Sequence, residues 1–527
     1  MQSDLQQGGT MPQSEVRAVF CAFVAVVFAL PAAAQTDPGV RRGLAGAGGP
    51  VNGIQTNELA MWQEGRLRMT ELEATCDTCS DVVPGTEVDE DPLLRIKTNS
   101  AGLGARYNAD QCVACHSQPA LGGSGGFLVP NPKDGPARFR PPENPMFDLL
   151  PHRNGATNVV PSFIRQYGPI RELRLLRNPD GTPDGGVHQL FTIVGRTDDP
   201  TIPNCTKEVL PQPDFETEVK NKNVAFRLPL QEFGLGLIDS IQDREILAHQ
   251  ASSRKQRERL GIAGVPNRSA NDGTIARFGW KAQNKSLVMF SGEAYNAEMG
   301  ITNELFPQAV EENPLCNGPH KDHPNDITRT DPTDERNQSF KNPVHLLADW
   351  MQFSLFMRFL DGPAPAPFSK SAERGRQLFE RVGCAACHTP QMQTAGVMES
   401  KTLENKPVNL YSDLLIHHMG PGLADHVTQG RATGDMFRTT PLWGVGQRIF
   451  FLHDGRTDDL VKAIRFHASR ACDDERHADV NDNPNFGCRD LATGAAYGDS
   501  EANAVIDEFE SLSVEQKQSI LDFLRAL

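Results

Sequence analysis

The chain has 527 residues, which is too long for one small domain and suggests about two or three structural units. Its formal net charge is −15, and such an acidic surface would repel a phosphate backbone, so nucleic acid is excluded as a partner. Hydrophobic residues make up 38% of the chain beside 46 glycines and 38 prolines, which predicts a globular protein with long ordered loops.

The first 34 residues have the pattern of an export signal. Arg17 precedes a short apolar run at residues 18–30, and Pro31-Ala32-Ala33-Ala34 stands directly before Gln35. A basic start, an apolar core and an Ala-x-Ala site are typical of a secretory signal peptide. The run is too short to span a bilayer, and no later segment is apolar enough. We therefore expect cleavage after Ala34 and a periplasmic protein without a membrane span.

Residues 58–73 predict an amphipathic helix, and the first of two similar pentapeptides follows it. The two are Cys112-Val113-Ala114-Cys115-His116 and Cys384-Ala385-Ala386-Cys387-His388. C-x-x-C-H is the attachment site of a c-type haem, whose iron the histidine ligates. A disulfide, a redox pair or a zinc site does not require that histidine. Two such motifs predict two covalently bound haem c groups, with His116 and His388 as iron ligands.

Six cysteines remain once the haem motifs and Cys21 of the signal are set aside. An even number in an oxidising compartment predicts up to three disulfides. Cys472–Cys488 is the favoured pair because both flank one polar insertion, and a local Cys76–Cys79 disulfide is favoured over zinc. The six are Cys76, Cys79, Cys205, Cys316, Cys472 and Cys488.

The best domain boundary is the proline-rich segment at residues 362–367, which is typical of a stiff linker. Before it, Asn342 is placed to cap a helix over residues 344–360 that is apolar nearly all round and so buried. This predicts an N-terminal domain at residues 35–361 and a C-terminal domain at residues 368–527.

The C-terminal domain has helices at both ends. Ser371 is placed to cap a helix that leads into Cys384, and Ser513 with Gln516 predicts a capping box for the last helix. A helix before C-x-x-C-H and an amphipathic helix at the end are typical of a class I cytochrome c. The predicted fold is mainly α with long irregular loops, in two class I cytochrome-c-like domains, the first enlarged by insertions.

A candidate sixth ligand for the C-terminal haem lies on a helix that Thr457 is placed to cap. Leu460, Ala463, Ile464 and His467 fall at i, i+3, i+4 and i+7, so His467 lies on the apolar face. A histidine on such a face is commonly a hydrogen-bonded core residue, and the pattern alone leaves ligation open.

Residues 438–444 and Phe451-Leu452-His453-Asp454-Gly455 resemble the C-terminal domain of bacterial di-haem cytochrome c peroxidases. In that superfamily the axial ligand of the electron-transfer haem follows the histidine of this motif by fourteen residues, which implies His467 here. Met419, in His417-His418-Met419-Gly420, is the competing ligand. His467 implies a bis-His haem of low potential.

A closer resemblance is to the di-haem oxidoreductase family of peroxidase-like proteins, over nearly all of the mature chain. The stretches that carry it are residues 102–116, 179–188, 233–238, 277–282, 298–303 and 408–413. The resemblance implies an enzyme that takes electrons at the His388/His467 haem and passes them to the His116 haem. Hydrogen peroxide or a related oxidant would be reduced there, with a small cytochrome or cupredoxin as the electron donor.

The His116 haem has no comparably placed sixth ligand, because His152, His188 and His249 are typical of surface positions. An unclaimed sixth position suits a peroxide-activating haem. Ala297-Glu298-Met299-Gly300 resembles the stretch that carries the distal acid/base of the peroxidases, which implies that role for Glu298. Met299 is the alternative, as an iron ligand.

Two further assignments come from the resemblance. Trp280 is the candidate for a catalytic residue that bridges the haems, with core packing as the alternative role. Calcium between the haems is common in the superfamily and is a further candidate cofactor, although residues 447–450 depart from the usual binding segment.

Two other functions stay open from the sequence. A non-enzymatic electron-transfer cytochrome would need a strong sixth ligand at both haems. A di-haem oxygenase or protein-modifying oxidase would use the same architecture.

Overall fold

The computed structural model describes residues 35–42, 44–70, 72–73, 98–99, 104, 106–109, 111–125, 159–188, 191–192, 211–308, 347–471 and 487–527. The predicted signal peptide lies outside these residues, and so do five of the six remaining cysteines. Cys488 is disulfide-bonded, and its predicted partner Cys472 is one of the five outside.

Helices carry most of the regular structure in the described part of the chain. The α-helices are α1 Thr56–Met69, α2 Phe215–Lys220, α3 Leu235–Asp239, α4 Asp243–Ser252, α5 Arg254–Leu260, α6 Leu287–Met299, α7 Asp349–Phe359, α8 Lys370–Val382, α9 Leu460–Arg465, α10 Asn503–Ser511 and α11 Val514–Ala526. This confirms a mainly α chain with long loops.

The strands are short, with two to four residues each. They are β1 Leu72–Glu73, β2 Thr98–Asn99, β3 Arg106–Tyr107, β4 Glu172–Leu175, β5 Val187–His188, β6 Phe191–Thr192, β7 Val224–Arg227, β8 Met392–Gln393, β9 Pro407–Val408, β10 Ile416–His418 and β11 Met436–Arg438. The largest described sheet has the order β5-β4-β7 and is antiparallel, with Leu173 paired to both His188 and Phe226. The other described pairs are two-stranded.

Two helix crossings rely on the same device. A Cβ atom on Gly65 of α1 would lie 2.3 Å from the carbonyl oxygen of Gln352 in α7. A Cβ atom on Gly375 of α8 would lie 1.8 Å from the carbonyl oxygen of Ser519 in α11. Only glycine permits these backbones to approach so closely. One close crossing therefore lies on each side of residues 362–367.

The hydrophobic core crosses the predicted boundary. One cluster of buried side chains includes Trp62 and Phe356 from before residues 362–367 and also Leu410 and Trp443 from after them. A second cluster packs α8 against α11 through Phe379 and Phe523. Residues 35–527 form one compact unit, and their division into two domains stays a prediction.

Several helix ends differ from their predicted positions. Helix α1 begins at Thr56 because Gln55 and Glu58 form a capping box, and it ends at Met69 rather than at residue 73. Helix α7 begins at Asp349, several residues after the predicted start, because Ala348 has an extended ψ of 150°.

The cap of α8 is Ser369, not Ser371. The Ser369 hydroxyl accepts a hydrogen bond of 3.1 Å from the Ala372 N–H, while the Ser371 hydroxyl donates to Asp522 at 2.6 Å. The capping box of Ser513 and Gln516 is confirmed. In the described part of the chain, no helix has the length and apolar character needed to cross a bilayer.

Candidate active site

Both pentapeptides fold into the same tight turn. The carbonyl oxygen of Cys112 accepts hydrogen bonds of 3.1 Å from the N–H groups of both Cys115 and His116. In the second motif, the Cys384 carbonyl oxygen accepts from the N–H groups of Cys387 at 3.3 Å and His388 at 2.9 Å. In the second motif, Cys384 and Cys387 are free thiols.

The second motif opens into a cavity that we call the C cavity. Its empty space, including the part open to solvent, is about 1510 Å³. Its walls are mainly apolar side chains from α8, α9, α10 and α11. Cys384, Cys387, His388, Met419 and His467 all line it.

His388 is held as a neutral imidazole. Its Nδ1 donates to the backbone carbonyl oxygen of Tyr411 at 3.0 Å, so Nε2 carries no proton. Burial, and then the nearby His467, lower the pKa of His388 to about 4. A neutral ring whose Nδ1–H is fixed by a carbonyl oxygen presents Nε2 as a metal ligand.

His467 reaches the same cavity from a turn rather than from a helix. Helix α9 ends at Arg465, and its cap is Asp459, which accepts from the Lys462 N–H at 2.9 Å, rather than Thr457. The Nδ1 of His467 donates to the Ala463 carbonyl oxygen at 2.8 Å, and burial lowers the pKa of the ring. The structure thus brings a second neutral imidazole close to His388.

The first motif opens into a second cavity, the N cavity, whose empty space, including the part open to solvent, is about 1360 Å³. The Nδ1 of His116 lies 3.3 Å from the Gly123 carbonyl oxygen and 3.6 Å from Oε1 of Glu232. Among the described residues that line this cavity, His116 is the only histidine, and three methionines also line it, Met69, Met299 and Met357.

The other candidate histidines stand elsewhere. His188 pairs with Asp184 at 2.9 Å, and His249 pairs with Glu245 at 3.3 Å. Neither lines the N cavity, and His152 lies outside the described residues.

Glu298 lies on the wall of the N cavity at the end of α6. Asn108 donates its Nδ2–H to Oε2 of Glu298 at 2.8 Å. Burial, and then the negative charge of Glu172, raise the pKa of Glu298 to about 8. At neutral pH the carboxyl is therefore mostly protonated and able to exchange a proton within the cavity.

Trp280 lines both cavities, and so does Gln231. The indole Nε1–H donates to the Leu228 carbonyl oxygen at 2.8 Å. The Trp280 ring meets the His453 ring edge to face at 6.3 Å, and the His453 ring stacks on Phe437 at 4.4 Å. Trp280 is therefore a common wall of the two cavities.

The sequence matches the family described as "Di-haem oxidoreductase, putative peroxidase" over residues 184–481, which is more than half of the chain. The chain belongs to this family. The family is one of di-haem oxidoreductases, which implies haem as the cofactor. No curated protein matches the chain.

Solved structures show only weak likeness. The diheme peroxidase BthA from Burkholderia thailandensis E264 aligns at 15% identity over 47% of this chain and 65% of its own, with a TM-score of 0.24. Hydrazine synthase from Kuenenia stuttgartiensis aligns at 18% identity over 35% of this chain and 55% of its own, with a TM-score of 0.19. A MauG-like protein associated with microbial copper homeostasis aligns at 18% identity over 37% of this chain and 59% of its own, with a TM-score of 0.19. The chain spans less than two thirds of each, and such scores assign no residue.

The residues of this di-haem oxidoreductase fit two haem groups. Each cavity combines a pair of cysteines, a histidine behind them and mainly apolar walls. Each wall also holds a guanidinium with a buried N–H group that lacks a partner: Nη1 of Arg438 and Nη2 of Arg448 in the C cavity, and Nε of Arg171 in the N cavity. Such donors suit the carboxylates of a haem.

Sequence reasoning missed these arginines and the acids around them. Glu232, beside His116, has a pKa raised by burial, and nothing in its local sequence marks it. Arg227 and Lys281 both pair with the buried Asp425, at 2.7 Å and 3.0 Å. The burial of these charges depends on tertiary contacts, which the local sequence pattern does not contain.

The described residues contain no group of three or more His, Cys, Asp or Glu side chains that would hold a metal ion. Calcium therefore stays a prediction.

Proposed function

We propose that the chain is an exported di-haem c-type peroxidase that passes electrons from a C-terminal bis-His haem to an N-terminal peroxide-activating haem. One observation carries the proposal: two cavities, each with a C-x-x-C-H turn, share Trp280 as a wall. Haem supplies the redox chemistry, both the storage of electrons and the cleavage of the O–O bond.

The two cavities differ in the ligands that they offer. His388 and His467 would hold iron from both sides in the C cavity, which suits an electron relay. In the N cavity His116 is the only described histidine, which leaves a position for peroxide. The covalent bonds would be thioethers at Cys112, Cys115, Cys384 and Cys387.

Glu298 would move the proton in the N cavity. As a carboxylate it takes a proton from one peroxide oxygen, and as an acid it returns a proton to the oxygen that leaves. The hydrogen bond from Asn108 fixes the carboxyl, and its pKa of about 8 makes both forms accessible near neutral pH.

Trp280 would provide a protein route between the cavities. Its hydrogen bond to Leu228, which lines the N cavity, and its edge contact with His453, which lines the C cavity, fix the ring in place.

The remaining expectations form part of the same proposal. The repeated glycine crossings of α1 with α7 and α8 with α11 support two cytochrome-c-like domains at residues 35–361 and 368–527. Export to the periplasm, a calcium ion between the haems and a small cytochrome or cupredoxin donor complete it. The net charge of −15 favours a donor with a basic face.

A non-enzymatic electron-transfer cytochrome is the second candidate. Met299 lines the N cavity beside Glu298, and its thioether would be a sixth ligand to the iron. Two fully ligated haems would relay electrons without binding peroxide.

Haem content is the first expected result. Purified protein should contain two haem c per chain, because each motif presents both cysteines and a histidine in the same turn. Intact mass and a pyridine haemochrome spectrum measure this. A stoichiometry of one would show that one of the two motifs is empty.

The peroxidase and the electron carrier differ in whether a haem binds an added ligand such as cyanide or peroxide. We expect cyanide to bind at one haem only, and stopped-flow mixing of the half-reduced protein with peroxide to give rapid oxidation. Reduction of the C-terminal haem is included because it opens the peroxidatic site in related enzymes. Two low-spin haems that bind neither cyanide nor peroxide in any redox state would establish the electron carrier instead.

A further inference from the structure

Two guanidinium groups in the C cavity have no acidic partner among the residues that the structure describes. Arg438 is 5% exposed, and its Nε donates to the Gly279 carbonyl oxygen at 3.0 Å, but its Nη1 is buried without a partner. The Nε of Arg448 donates to the Phe450 carbonyl oxygen at 2.8 Å, and its Nη2 is likewise buried without a partner. Both side chains line the cavity.

The cavity offers these cations no carboxylate of its own. The only acidic residue on the described wall is Glu501, and its carboxylate is bonded to His417 at 2.8 Å. Burial alone lowers the pKa of Arg438 and of Arg448 to about 10 each, with no acidic neighbour opposing it. Two uncompensated buried cations are costly, so the ligand of this cavity should carry two negative charges.

The same two arginines both contact Trp280. The backbone N–H of Arg438 donates to the Trp280 carbonyl oxygen at 2.8 Å, and the Arg448 guanidinium carbon lies 5.8 Å from the centre of the indole ring. An anion bound to both would therefore lie beside the residue that the two cavities share.

We propose that Arg438 and Arg448 form a dicarboxylate subsite that binds both propionates of the haem carried by Cys384 and Cys387. This rests on the proposed function, since it requires haem in the C cavity. Two propionates would neutralise the two guanidinium groups, and the two arginines would hold them beside Trp280.

The test uses the holoprotein with Arg438→Gln, Arg448→Gln and Arg448→Lys. Resonance Raman spectra of the half-reduced protein report hydrogen bonding to the propionates through their bending bands. We expect these bands of the C-terminal haem to shift in both Gln variants. The midpoint potential of that haem should fall, because a cation that disfavours the oxidised iron is removed. Arg448→Lys keeps the charge and should restore the potential while the band stays shifted, since ammonium lacks the planar fork of guanidinium.

Arg171→Gln is the matched control, because Arg171 lines the N cavity but not the C cavity. It should leave the propionate bands and the potential of the C-terminal haem unchanged. Unshifted bands in both Gln variants, with two haems present and a wild-type circular dichroism spectrum, would overturn the subsite alone. A wild-type C cavity without haem would instead overturn the proposed function. Should the Gln variants not fold, the band shift in Arg448→Lys decides the matter.

Discussion

Glu298→Gln should slow the reaction of the half-reduced protein with peroxide by about 10²–10⁴-fold while both haems stay attached. The amide keeps the size of the side chain and its contact with Asn108, so only proton exchange is lost. Stopped-flow mixing at several peroxide concentrations measures the rate, and a haemochrome spectrum checks the haem content. A wild-type rate in this variant would remove Glu298 from the mechanism.

The pH dependence of the reaction rate provides a second test of Glu298. Since burial raises the pKa of Glu298 to about 8, the carboxylate that accepts the first proton is scarce below this pH. The wild-type rate should therefore rise with pH and level off above about 8, and Glu298→Gln should lose this dependence.

Glu293→Gln is the control for that pair of measurements. Glu293 lies on the same helix and lines the same cavity, where it accepts a hydrogen bond from Asn284. Because the negative charge of Glu293 helps to raise the pKa of Glu298, Glu293→Gln should keep a pH-dependent rate, with its midpoint below that of the wild type.

The two C-x-x-C-H motifs were predictable as parts of a site because their residues are contiguous. Cys384–His388 could therefore be identified without a structure, and the structure places it on the wall of the C cavity. His467 was also accessible, because one helical turn relates it to Ala463, although the helix proved shorter than its pattern indicated. Local rules reach this far because the relevant contacts lie within a few residues.

Tertiary packing decided what the sequence left open. Ser369 and Ser371 are both competent caps, and the bond from Ser371 to Asp522 settles which one caps α8. Glu298 stands far along the chain from His116, and no periodicity relates the two positions. Only α6 packing against the walls of the N cavity brings the carboxyl to the first motif.

Buried charge was the least predictable feature. Nothing in the sequence around Arg438 and Arg448 distinguishes them from surface arginines or indicates that they line a cavity. Each becomes conspicuous only when an N–H group is found buried without an acceptor. The division into domains is similarly undetermined by residues 362–367, because Trp443 packs in the core of the preceding half.

His467→Gly should convert one haem from low spin to high spin and leave both haems covalently bound. In the proposed site only one iron ligand is removed, because Cys384, Cys387 and His388 are unchanged. The position tolerates glycine because it follows the end of α9, and the lost bond to Ala463 costs about 0.5–1.5 kcal/mol of folding free energy.

Electron paramagnetic resonance and optical spectra of the oxidised protein measure that change. Imidazole added to His467→Gly should enter the space left by the side chain and restore the low-spin signal. Met419→Ala is the matched control, because Met419 lines the same cavity and is the competing ligand. A high-spin conversion in Met419→Ala, with an unchanged spectrum in His467→Gly, would assign the sixth position to the thioether. Two histidine ligands stabilise the oxidised iron more than a histidine and a methionine do, so that outcome would also predict a higher midpoint potential for the C-terminal haem.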